Sequence, residues 1–151
     1  MEVLKLKETW TLKELYQTSC SQIPNEPGVY YIVAPSGMQI EFHPISKNIS
    51  APCYEVEKLR TKYDACQNKE VLYIGKASGK KGLRQRIRQY MKYGWKEAVN
   101  HKGGRAIWQI EGAENLLLRY EVYTDADSRE HQLLCEFAEQ NGTLPLANWK
   151  R

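Results

Sequence analysis

Residues 71–93, VLYIGKASGKKGLRQRIRQYMKY, constrain this chain most, because the hydrophobic period changes inside them. EVLYIG is an apolar, β-branched and aromatic run that reads as a strand ended by Gly75. Further on, Leu83, Ile87 and Met91 recur at i, i+4 and i+8, the spacing of one apolar helix face. Arg84, Arg88 and Lys92 take the opposite face at the same interval, with Arg86, Tyr90 and Tyr93 on a flank between them. A strand that leads directly into an amphipathic helix predicts an α/β or α+β domain.

The rest of the chain agrees with that class. WTLKELYQTSCSQIP predicts a helix with Thr11 and Glu14 as a capping box, Trp10 and Leu15 as a hydrophobic staple, and Pro24 as its end. GVYYIVA lies between Pro27 and Pro35 and predicts a strand. Alternation at Met38, Ile40 and Phe42 predicts a second, half-exposed strand, and YEVEKLRTKYDAC a charged helix with Val56, Leu59 and Tyr63 on one stripe. NLLLRYEVYTD predicts another strand. Asp127 and Glu130 suggest a capping box for a last helix, which buries Leu133, Leu134, Phe137 and Ala138 and stops at Gly142. No internal repeat or linker divides the 151 residues, so one domain is expected over 1–151.

Composition narrows the function classes. No apolar run approaches the ~18 residues of a membrane helix, and MEVLKLKETW lacks the basic-then-apolar order of a signal segment, so a cytoplasmic location is expected. Cys20, Cys53, Cys66 and Cys135 are scattered, with no CxxC pair and no His at zinc-finger spacing, and are read as structural or incidental thiols. The sequons at Asn48 and Asn141 have no meaning in such a compartment. Net charge is only +4, yet Lys76 to Arg105 holds ten Lys or Arg against the single acid Glu97. That segment carries +9 and leaves −5 elsewhere, the footprint of a polyanion partner.

GKASGKKG invites a phosphate-loop reading, which fails on spacing. Its glycines are one residue too close for GxxxxGK, and Lys81 stands where a magnesium-binding Ser or Thr belongs. A different constellation fits better. The chain offers Gly28-Val29-Tyr30, then Tyr73-Ile74-Gly75-Lys76, Leu83 to Arg86 with Tyr90, Leu133-Leu134-Cys135-Glu136, and finally Pro145 and Asn148. In this order and spacing the set resembles the GIY-YIG nuclease superfamily, in the form carried by the N-terminal nuclease domain of bacterial excision-repair incision enzymes. The resemblance runs from Gly28 to Asn148 and covers seven functional positions. It departs from the family in two places: residues 36–70 intervene where a tight hairpin is usual, and the loop from Lys76 to Arg86 is longer.

The resemblance implies a three-stranded mixed or antiparallel sheet flanked by helices, with 36–70 as an insertion between the first two core strands. It implies a DNA endonuclease that uses one Mg²⁺ or Mn²⁺ ion held by Glu136. Tyr30 would be the general base, Tyr73 would bind the water or phosphate, and Lys76 would help lower the tyrosine pKa. Arg86 would donate to the phosphate, Tyr90 would contact phosphate or orient Arg86, and Asn148 would hold the loop beside Glu136. Glu130 competes with Glu136 from nearer the apolar face, although its first-turn position suits a cap.

Lys80, Lys81, Arg84, Arg88, Lys92, Lys102 and Arg105 form the expected DNA-backbone set, with Lys96 beside them. Trp108 offers a base-stacking surface or, equally, a buried core residue. A domain this small commonly relies on a second copy or another partner for targeting. The reading from a different class is a catalytically inactive nucleic-acid-binding module of the same fold.

Overall fold

The computed structural model describes residues 8–46, 52–97, 101 and 103–151. Lys102 and the sequon at Asn48–Ser50 lie outside the described residues. Strands β1 (Trp10–Thr11), β2 (Gly28–Val33), β3 (Val71–Ala77) and β4 (Leu117–Val122) form one antiparallel sheet in the order β1-β4-β2-β3. The mixed α/β character is as expected. The sheet, however, has four strands, because Trp10 and Thr11 pair with Leu118 and Leu117 before the first helix begins. Four α-helices, α1 (Leu12–Gln17), α2 (Val56–Ala65), α3 (Gly82–Gly94) and α4 (Ala126–Asn141), accompany the sheet among the described residues, with short 3-10 turns at Arg105–Gln109 and Ala113–Asn115.

The sequence explains the sheet's centre. All six residues of β2 are buried, because the strand lies between β3 and β4 and is covered on both faces. Tyr30 and Ile32 join the large core cluster with Leu83, Ile87, Tyr90 and Met91 of α3. Val29, Tyr31 and Val33 face the other way, onto Leu133, Leu134 and Phe137 of α4. The period-2 alternation of a strand thus divides one apolar run between two layers.

Two local expectations fail for identifiable reasons. Thr11 and Glu14 do form the capping box, but Trp10 stacks on Tyr120 of β4 at 6.0 Å and the helix ends well before Pro24. Ser19 N–H donates to Tyr16 O and Cys20 N–H to Leu15 O, with Ser19 at φ 51°. This is a Schellman ending without the glycine that usually announces it. Residues 38–45 form no strand either. Ile40 and Phe42 are buried as the alternation predicts, but their partner is irregular chain, and a single bridge joins Phe42 to Ile110.

The cap of α4 is also displaced. Asp125 accepts from Ser128 N–H at 3.2 Å, which makes Asp125 the N-cap and frees Asp127 and Glu130 from that task. Helix α2 grips the C-terminal segment. Lys62 Nζ donates to the carbonyls of Pro145 (2.8 Å), Leu146 (2.9 Å) and Asn148, and lies 4.0 Å above the Trp149 ring. Burial pulls the Lys62 pKa down to about 8.

Candidate functional site

The two motif glycines have a steric purpose. Tyr30 pairs with Gly75 across β2 and β3, and its ring crosses that glycine so closely that a Cβ on residue 75 would lie 2.4 Å from Tyr30 Cζ. A Cβ on Gly28 would meet Glu121 O at 2.2 Å and Leu83 Cδ1 at 2.9 Å, so this glycine lets β4 and α3 close around the strand. Together they set Tyr30 beneath α3.

Three tyrosines then converge. Tyr30 and Tyr73 meet edge to face at 6.0 Å, and Tyr90 of α3 lies 6.3 Å from the first and 5.7 Å from the second. Tyr90 is wholly buried on the core side of its helix, not on a flank, and its hydroxyl donates to Gly104 O at 2.6 Å. The segment around Gly103 and Gly104 presses on this cluster. A Cβ on Gly103 would come within 2.5 Å of Tyr73 Oη, and one on Gly104 equally near Tyr90 Oη. His101 stacks on Tyr90 at 4.6 Å. Trp108 is buried edge-on to Tyr90 and Trp95 and presents no surface to a base.

Burial governs the chemistry of the three phenols. Tyr30 is pushed up to about 12 by burial, opposed by the Arg86 charge. Tyr30 Oη is fully enclosed, and neither Tyr73 nor Arg86 completes a well-formed hydrogen bond to it. Tyr73 is raised well above its ordinary value by burial and then by the neighbouring Tyr30 and Glu130, again opposed by Arg86. Tyr90 rises for the same first reason. The cation acting on the tyrosines is therefore Arg86. Lys76 points to α4, where Nζ lies 2.8 Å from Asp127 and 3.9 Å from Glu130.

The carboxylates separate clearly. Glu136 is exposed and accepts from Gln132 at 3.1 Å, one turn earlier on α4. Glu130 is half-buried, its pKa is raised by burial against the pull of Lys76 and Arg86, and it acts electrostatically on both Tyr30 and Tyr73. The structure thus brings Tyr30, Tyr73, Tyr90, Arg86 and Glu130 together and does not bring Glu136 into that group. The apolar spacing of α4 already carried this signal, since Glu130 precedes Leu133 and Leu134 by one turn. Among the described residues no three His, Cys, Asp or Glu side chains converge as a metal cage.

Asn148 is tied to β3, where the expectation put it on the loop beside Glu136. Its buried amide accepts from Ile74 N–H and donates to Ile74 O, both at 2.9 Å, fixing the strand residue between Tyr73 and Gly75.

The cations divide into two groups. Arg84 donates to Ile23 O at 2.7 Å and Ser21 O at 3.3 Å, and Arg105 donates to His101 O and lies over the Tyr93 ring, so both hold the chain together. Lys80, Lys81 and Arg88 are exposed, and Arg88 shares a cavity between α1 and α3 with Lys92. The first amides of α3 are occupied as well. Leu83 N–H donates to Glu26 O and Arg84 N–H to Pro24 O, so the Gly-rich loop does not present an open helix terminus to phosphate.

No protein-family model, curated protein or solved structure matches this chain.

Proposed function

We propose that the protein is a metal-assisted phosphodiesterase acting on DNA, of the GIY-YIG type its motifs resemble. The observation that supports this reading is the convergence of Tyr30, Tyr73, Arg86 and Glu130 from four separate elements, beside a cavity lined by Lys76 and Arg86. Chain-stabilising ion pairs have no need of two buried phenols at one such point.

In this proposal Arg86 donates to the non-bridging phosphate oxygens and stabilises charge that grows in the transition state. Lys76 adds a second positive charge at the cavity mouth, held in orientation by Asp127. Forming a tyrosinate from Tyr30 at pH 7 would cost roughly 7 kcal/mol, so the enclosed phenol stays neutral and packs against Tyr73 beneath the Arg86 helix. A divalent cation, Mg²⁺ or Mn²⁺, would supply Lewis-acid neutralisation and a more acidic water. Glu130 fits it as the single protein carboxylate, with substrate oxygens and water as the remaining ligands. Lys80, Lys81, Arg88 and Lys92 would track the DNA backbone.

One observation favours the second reading, a nucleic-acid-binding module without activity: burial holds all three phenols protonated. Cleavage of plasmid and single-stranded DNA in Mg²⁺ or Mn²⁺ decides between them. Wild type is expected to cut both, and Glu130→Gln to lose at least about 100-fold in rate while still binding. Loss in Glu136→Gln with retention in Glu130→Gln would return the metal to Glu136. Inert wild-type protein that binds DNA would establish the binding module.

A further inference from the structure

The cavity beside the tyrosines has a volume of about 320 Å³ and two chemically distinct parts. Lys76 and Arg86 form a cationic edge. Gln85 and Gln89, one turn apart on α3, form an amide edge. Both glutamines are half-buried, and neither has a hydrogen-bond partner among the described residues. Gln109 shows what a structural glutamine does in the same protein: its amide donates to His43 O and Tyr54 O and accepts from Tyr54 N–H.

The loop edge of the cavity is also open, at exposed Gly79. A Cβ on Gly79 would meet nothing within 4 Å, whereas one on Gly82, at φ +62°, would strike the Glu26 backbone at 2.4 Å. Gly82 is therefore required by chain packing. Gly79 is not, and it leaves clear space where the lengthened loop widens.

We propose that this cavity takes a nucleobase whose own phosphate lies against Lys76 and Arg86, with Gln85 and Gln89 reading the base edge. An amide places a donor and an acceptor side by side, as the edge of a base does. A phosphate offers acceptors alone and would leave the amide oxygens without a partner. The volume falls at the lower end of the range for small-ligand sites. A base reaches such a pocket only when it is unstacked, which makes the substrate single-stranded or locally opened DNA. This deepens the phosphodiesterase reading and rests on it for the identity of the ligand.

The test titrates the full chain with a thymidine–adenosine deoxydinucleotide, with deoxyadenosine monophosphate and with inorganic phosphate, following the Gln85 and Gln89 side-chain amide resonances. The dinucleotide is expected to move both amides, the mononucleotide to move them at higher concentration, and phosphate to leave them unmoved. The double variant Gln85→Leu with Gln89→Leu, and separately Gly79→Leu, are expected to weaken dinucleotide binding about tenfold or more with phosphate binding unchanged. Amides that respond equally to phosphate, or variants that bind the dinucleotide as wild type does, overturn the base pocket. Dinucleotide binding through the amides in a protein that cuts no DNA overturns the phosphodiesterase alone. Cleavage with silent amides overturns the pocket alone.

Discussion

Lys62 projects from α2 and Arg86 from α3, and the two cations are used in opposite ways. The ammonium of Lys62 is surrounded by three carbonyls and an indole face, and the neighbouring Asn148 exchanges two hydrogen bonds with Ile74. Both Lys62 and Asn148 are matched there, as the cost of burying an unpaired polar group demands. Around Arg86 the matching stops: Tyr30 Oη is enclosed without a well-formed partner, and Gln85 and Gln89 hold their amides free. One corner of the molecule satisfies its polar groups internally, whereas the other leaves several without an internal partner.

That contrast can be broken at its extremes. His101 is a buried polar group on the open side, where burial and the charges of Arg86 and Arg105 hold its pKa down to about 3. The unfolded chain binds this proton from about pH 6.5 downward, so folding stability is fully present above that pH and falls as pH drops toward 3. The loss has an upper bound of about 5 kcal/mol. Urea melts across that range should show the slope in wild type and a flatter one in His101→Phe, whose ring can keep the Tyr90 stack. An unchanged slope would mean that His101 is not held neutral.

On the matched side, Asn148→Ala strands Ile74 N–H and Ile74 O and should cost about 2–4 kcal/mol in urea unfolding at pH 7. The smallest stability effect is expected at Arg86→Lys, within about 0.5 kcal/mol of wild type, while DNA cleavage falls at least about 100-fold. If Arg86→Lys destabilised the fold as much as Asn148→Ala, the two corners would not differ in kind.

The elements that carry the site were legible wherever a strong period was written into the chain. β2, β3, α3 and α4 appear where apolar runs and i, i+4 spacing predict them, and Thr11 and Glu14 cap α1 as expected. The errors arise where tertiary partners decide. Residues 38–45 alternate correctly but find no strand to pair with, and Ser19 ends α1 in a conformation that sequence assigns to glycine. The candidate cluster was legible in residue types more than in positions. Tyr30, Tyr73 and Arg86 do meet, but the half-buried carboxylate among them is Glu130, which looked like a cap until Asp125 took that role. Arg84 and Arg88 share one helical stripe, yet the carbonyls of Ser21 and Ile23 engage Arg84 alone, a long-range contact no local pattern reveals.

The ring of Tyr30 lying across Gly75 ties two positions 45 residues apart into one hereditary unit. An alanine at 75 has the aromatic ring of Tyr30 as its nearest obstruction, and a small residue at 30 leaves a hole that such an alanine would partly fill. Each single change is therefore worse than its share of the double change. A lineage that drifts away from this pair must cross a valley of unfit intermediates or alter both positions together, and a packing constraint alone suffices to hold the two motifs in step.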